Sequence, residues 1–237
     1  MKLSKEQKIE NFSKLIDLID KNISGDRKDS LLDLHNDWME RIWIAPASTK
    51  TQYHNAFPGG YVLHVLNVAS CALKLSSVWE SMGADIDFSR EELMFSALTH
   101  DLGKIGTETH EYYVPCKEQW MINKGQVYVI NPEIQFMKVS ERTLMTLANR
   151  QIPVSEKEYL AIKLHDGLYE DSNKGYLMSY SEDYELKTIL PHIIHQADFI
   201  SSKVEGKRKK VGVPESVKSE APLKKSESSS LSKFLSE

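Results

Sequence analysis

Apolar residues recur at helical spacing along most of this chain. Ile9, Phe12, Leu15, Ile16 and Ile19 fall at three- and four-residue intervals, which predicts an amphipathic helix over 5–21. Leu31, Leu32, Leu34, Trp38 and Ile42 extend the pattern over 27–44, and Ala45-Pro46-Ala47-Ser48 stops it. A third helix is predicted over 61–79, after the turn-rich stretch NAFPGG. A fourth covers 88–101, with Ser89 as N-cap and Glu92 completing a capping box, and Gly103 as its expected C-terminal stop. Helices follow at 140–150, with Leu144, Leu147 and Ala148, and at 155–165, where Ser155 and Glu158 repeat the capping pair. The last strong helix spans 185–204, and its Pro191 must sit near the start or kink it.

The periodicity changes within 110–136. There EQWMI-NKG-QVYVI, residues 118–130, reads as a β-hairpin: two apolar strands around an Asn/Gly turn. After Gly206 the chain is rich in Lys, Ser, Glu and Pro. Such a stretch buries too little apolar surface to offset the entropy of ordering, so a disordered tail is expected. The predicted fold is therefore mostly α: a helical bundle with one inserted β-hairpin and a disordered C-terminal tail. Its expected divisions are N-terminal helices over 1–52 packing on the core, a core domain over 53–204, and a tail over 205–237.

Composition narrows the setting. The 237 residues suffice to bury a real core, and 41% hydrophobic with 27% charged residues is ordinary for a globular protein. A net charge of −4 offers no bulk positive charge for wrapping duplex DNA. Cys71 and Cys116 have neither metal-site spacing nor a disulfide framework, which points to a reducing, cytoplasmic setting. Charges run throughout the N-terminal segment, unlike a signal peptide, and no apolar run approaches the roughly 20 residues of a membrane helix. No membrane partner is expected.

Candidate chemistry lies in histidines and aspartates on the predicted helices. His64 shares an apolar stripe with Val68, Cys71, Ala72 and Leu75, so it points inward. His100 and Asp101 close the fourth helix, and His165 closes another. On the last helix His195 and Asp198 are three apart and share a face, whereas His192 lies six from Asp198, about 120° around. His192 is the expected bystander. A lone inward His is usually a satisfied core residue, and a His-Asp pair before a glycine can be a helix cap. Four such segments together are harder to explain. Burying several His and Asp without a metal or a complete hydrogen-bond network costs several kcal/mol. Shared ligation of a divalent ion such as Mn, Fe, Co or Mg accounts for them, and a helical bundle can aim such ligands inward.

In chain order, His64, the pair in HDLGK and Asp198 in HQADFIS give the pattern H…HD…D. This resembles the HD-domain metal-dependent phosphohydrolase superfamily. YHNAFPGGYVLH is similar to the H-x-A-x-x-GG-x-x-x-H segment in the HD half of bacterial 3′-to-5′ exoribonucleases that also carry an OB fold. KLHDGLYE resembles their S-H-H-G segment, with His165 on the first His, and LPHIIHQADFISSK resembles their ending, with His195 and Asp198. The resemblance spans about 53–203. The hairpin with NPEIQF and the LHDGLYE segment also resemble a standalone HD protein of large tailed phages. Two departures stand out: Asp166 replaces the second His of S-H-H-G, and no OB fold precedes the HD unit.

The resemblance implies an HD-domain bundle holding one or two divalent ions. His64, His100, Asp101 and Asp198 would hold the first. Asp101 would bridge to a second on His165 and His195. It implies a phosphohydrolase or phosphodiesterase in which metal-activated water attacks a nucleotide or a nucleic-acid 3′ end, with Asp101 catalytic and Lys104 facing a phosphate oxygen. A solvated helix-end lysine is the plain alternative for Lys104. His54 and His110 are candidates for an outer ring, Arg142 and Lys163 for substrate charge, and the hairpin with Trp120 and Tyr128 for a lid or stacking wall. Expected partners are a nucleotide or single-stranded nucleic acid. In the tail, Leu231, Phe234 and Leu235 form a small apolar face like the C-terminal peptides that hold sliding clamps, and the basic run 207–210 adds affinity for nucleic acid. The alternative function is a non-catalytic HD module that binds metal or nucleotide and acts as an adaptor through that peptide.

Overall fold

The computed structural model describes residues 3–178 and 181–211, with side chains through Lys207. The tail peptide with Leu231, Phe234 and Leu235 lies outside the described residues. The helices are α1 (Lys5–Asn22), α2 (Gly25–Asp37), α3 (Met39–Ile44), α4 (Gly60–Ser81) and α5 (Arg90–Thr99), then α6 (Gln119–Asn123), α7 (Val139–Asn149), α8 (Glu156–Leu164), α9 (Lys174–Leu177) and α10 (Leu190–Val211). Strands β1 (Tyr113–Pro115) and β2 (Tyr128–Ile130) flank α6 and pair antiparallel, Val114 opposite Val129. The mostly helical class and the single hairpin match the sequence expectation.

The capping boxes at Ser89–Glu92 and Ser155–Glu158 both form, and Ser4–Gln7 makes a third at α1. The predicted 27–44 helix is broken at Trp38, which leaves helical geometry at φ −101° and ψ 12°. Trp38 and Ile42, four apart, are both buried in the core.

Three other expectations need correcting. First, Gly103 is not the stop of α5. The helix ends at Thr99, and Gly103 lies inside a 3₁₀ turn, Leu102–Ile105. Glycine is needed there for close approach: a Cβ would fall 2.3 Å from the Val139 carbonyl oxygen, and the Gly103 N–H donates to Thr143 Oγ1 at 2.8 Å. The turn is made by Gly106, at φ +115°. Second, the segment 118–122 is not a strand. Gln119–Asn123 coils into α6, Gln119 reaching Asn123 one turn on, and the partner of β2 comes from Tyr113–Pro115 instead. Third, α10 starts at Leu190 rather than 185, with Pro191 in its first turn, and continues to Val211, past the expected boundary at 204.

One hydrophobic core joins the N-terminal helices to the rest: Phe12, Leu15, Ile19, Leu31 and Leu34 cluster with Val65, Val68, Phe95, Leu98, Ile162 and Ile194. Each fully buried Leu or Ile contributes about 1.5–3 kcal/mol of transfer free energy. α10 packs along α4 and α8, and α5 packs between the same two helices. By length and composition α4 is apolar enough to cross a membrane, which the sequence reading found nowhere, but eight of its residues are buried, six of them in this core. A largely buried ion pair ties α2 to α8: the Arg27 guanidinium, partly exposed, meets the fully buried Glu158 at 2.7 and 3.0 Å and lies 4.0 Å over the Phe95 ring.

Candidate metal centre

Four helix segments deliver side chains to one buried point. α4 brings His64, and its start explains the double glycine. Gly59 takes φ +84°, and a Cβ on Gly60 would fall 2.0 Å from the Asn55 carbonyl oxygen. The chain leaving α5 presents His100 as the cap just past Thr99, still at helical angles, followed by Asp101 at φ −105°. His165 caps the C-terminus of α8, and Gly167 follows at φ +57°, pressed against the His195 imidazole. α10 supplies His195, Asp198 and Glu205.

Asp101 lies at the middle. Its Oδ2 is 3.4 Å from His100 Nε2, 3.5 Å from His64 Nε2 and 2.6 Å from Lys104 Nζ; its Oδ1 is 3.5 Å from His165 Nε2. His64 Nε2 also lies 3.0 Å from Asp198 Oδ1. His64, His100, Asp101 and His165 are all buried. Even so, His64 Nε2, His100 Nε2 and Asp101 Oδ1 have no aligned hydrogen-bond partner.

The other ring nitrogens are all occupied. Nδ1 of His64 faces Glu205 Oε2 at 3.1 Å, that of His100 the Ala97 carbonyl at 2.9 Å, that of His165 the Ile162 carbonyl at 2.7 Å, and that of His195 the His165 carbonyl at 2.8 Å. Each acceptor holds the proton on Nδ1 and leaves the Nε2 lone pair free. That is the tautomer a metal-ligating histidine needs. Lone pairs on His64, His100 and His165 then converge on carboxylate oxygens, an arrangement that is repulsive unless positive charge sits among them.

Electrostatics point the same way. Burial opposes charge on His64, but Glu205 and Asp198 raise its pKa to about 10. Burial likewise opposes charge on His165, and Asp166 and Asp101 raise it to about 10. Burial would raise the Asp101 and Asp198 carboxyls; Lys104 and His100 hold the first well below its ordinary range, and His64 the second. The Lys104 ammonium, disfavoured by burial, is held above its ordinary value by Asp101. Without a metal, the cluster draws protons onto the His64 and His165 imidazoles. A divalent cation supplies the same positive charge at the same nitrogens. Imidazole and carboxylate donors together suit borderline to hard divalent ions.

Among the described residues, three sets have donor atoms within 4.8 Å of one another: His64, His100 and Asp101; His165, Asp166 and Asp198; and His54, His64 and Glu205. These His, Asp and Glu groups could hold a metal ion; most are buried, but Asp166 is exposed and His54 and Asp198 are half-buried. The sets bring together His64, His100, Asp101, His165 and Asp198 of the residues singled out from sequence. His195 belongs to none of the three sets but lines the adjoining cavity, of about 220 Å³, with His54, Lys104, His165, Asp166 and Asp198, and with Tyr169, Phe199 and Lys203 near its mouth. His192 is the bystander, stacked on Trp79 at 6.1 Å.

Sequence reasoning missed two members of these sets. Asp166 counted only as a departure from a motif, and Glu205 fell in the expected tail. Its signal was its spacing: Glu205 is seven residues, two helical turns, past Asp198. His54 is more central than expected. Its Nε2 is buried without a partner, its ring lies 4.5 Å from that of His64, and burial, then His64 and Lys104, push its pKa down to about 2. Other outer candidates lie elsewhere. His110 pairs with Glu133, Lys163 with Glu141, and the buried Arg142 donates to the Gln135 carbonyl. Trp120 is an exposed residue of α6. Tyr113 and Tyr128 line a second cavity of about 360 Å³, which shares Lys104 with the first.

No family model matches this chain, and neither a curated protein nor a solved structure matches it.

Proposed function

We propose that this chain is an HD-type metal-dependent phosphohydrolase or phosphodiesterase acting on a nucleotide or a nucleic-acid 3′ end. The observation that carries the reading is the buried meeting of His64, His100 and Asp101, where two Nε2 atoms without hydrogen-bond partners lie 3.4–3.5 Å from Asp101 Oδ2, beside an open cavity lined by two lysines. His64, His100, Asp101 and Asp198 would hold one ion. His165 and Asp166, with Asp198 shared, would hold a second, with His195 on the cavity wall beside them. When bound, a divalent ion supplies Lewis-acid activation of water and of a phosphoryl oxygen.

The protein's own groups do the rest. Lys104 and Lys203 line the cavity and offer positive charge to phosphate oxygens. Asp101 Oδ2 holds the Lys104 ammonium at 2.6 Å, so the lysine stays charged and aimed inward. The backbone carbonyls behind His100 and His165 keep both rings from turning. Tyr113 and Tyr128, across Lys104 in the second cavity, offer walls to the organic part of the substrate.

The test is phosphate or nucleotide release from a panel of nucleotides and short oligonucleotides, with Mn, Fe, Co or Mg supplied. Activity that Asp101→Asn abolishes, at unchanged fold, supports the reading. Metal retention without turnover on any substrate would sink it and favour a non-catalytic binding module.

A further inference from the structure

Four imidazoles around the cluster are held through Nδ1, and His64 differs from the other three in what holds it. His100, His165 and His195 give their Nδ1 protons to backbone carbonyls. His64 gives its proton to a carboxylate, Glu205 Oε2, at 3.1 Å. Glu205 is 4% exposed, and its other oxygen accepts from Asn67 Nδ2 at 2.6 Å, so the carboxylate is gripped at both ends. Asn67 stands one turn beyond His64 on α4. Glu205 therefore clasps one face of α4 from the far end of α10.

A buried carboxylate is costly unless it is paired. Here it meets a neutral amide and an imidazole whose opposite nitrogen faces Asp198 and Asp101. A carboxylate behind a ligating imidazole does three things. It fixes the Nδ1–H tautomer, holds the ring plane, and pushes electron density towards Nε2, which makes that nitrogen a stronger donor.

We propose that Glu205 is a positioning residue for the metal centre, acting through His64 as the carboxylate of a carboxylate–histidine–metal relay, with Asn67 fixing its second oxygen. This rests on the metal-binding reading of the cluster and not on any particular reaction.

The experiment measures Mn and Co affinity by chelator competition on the full chain, for wild type, Glu205→Gln and Asn67→Ala, with the melting temperature of each metal-free protein. Glu205→Gln keeps the shape and a hydrogen-bond acceptor but removes the charge. It is expected to weaken binding about 10- to 100-fold, with ion stoichiometry kept at saturation and a shifted Co absorption spectrum. Asn67→Ala, which keeps the charge, is expected to weaken binding less. If Glu205→Gln proves unstable, Asn67→Ala carries the test, and wild-type affinity in that variant overturns the proposal. Wild-type affinity and spectrum in Glu205→Gln would also overturn it. So would loss of one whole ion with the remaining affinity untouched, which would make Glu205 a direct ligand alongside His54. A wild-type protein that binds neither Mn nor Co would instead overturn the metal reading on which this one stands.

Discussion

At position 60 the chain has no room for a methyl group, because the Asn55 carbonyl oxygen lies 2.0 Å from where a Cβ would sit. Gly60→Ala must displace the loop that starts α4, one turn before His64. We expect a loss of about 1–3 kcal/mol, as for other over-packed sites, read as a lower midpoint in urea; an unchanged midpoint would show that the loop yields freely. The candidate ligands were legible at this scale where the residue type is rare in a core and the spacing is helical, as for His64, His100, Asp101 and Asp198. Asp166 and Glu205 were not, because an Asp or Glu on a helix end or near a charged stretch is ordinarily solvated. Only the packing of α10 against α4 shows Glu205 to be buried.

Element boundaries followed local chemistry where that chemistry was self-contained. The Ser89–Glu92 and Ser155–Glu158 boxes need only four residues, and both form as read. The hairpin was misplaced because strand pairing is non-local: the partner of Tyr128–Ile130 lies outside the window that looked symmetrical around Gly125. Glu158 also shows an element-level role that the sequence does not display. It caps α8 through the Ser155 N–H at 2.8 Å and simultaneously receives Arg27 from α2, with its side chain fully buried. Arg27→Ala leaves that carboxylate unpaired, so a loss of about 3–5 kcal/mol is expected in denaturant unfolding. A loss under about 1 kcal/mol would mean that the pair behaves like a surface salt bridge.

Across the whole molecule, one core spans α1 to α10 and the site lies inside it, so stability and metal binding are linked through pH. In the metal-free protein the pKa values of His64 and His165 rise from 6.5 to about 10. Their stabilising contribution is full below 6.5 and is lost as pH climbs towards 10. Asp101 and Asp198 are depressed below 3.8, so their contribution is present above that value and is lost as pH falls further. A metal competes with the protons on the imidazoles, so its affinity rises with pH. The gap in melting temperature between Mn-loaded and metal-free protein should therefore widen between about pH 6 and pH 9. A gap that narrows would place the ion away from His64 and His165.

The most direct test is elemental analysis of the purified chain and of Asp101→Asn, each loaded with Mn or Fe and freed of excess. One or two ions per chain in the wild type, lost or sharply reduced in the variant, is the expected result. A wild-type chain that retains no metal, or a variant that retains as much as the wild type, would contradict a metal centre built around Asp101.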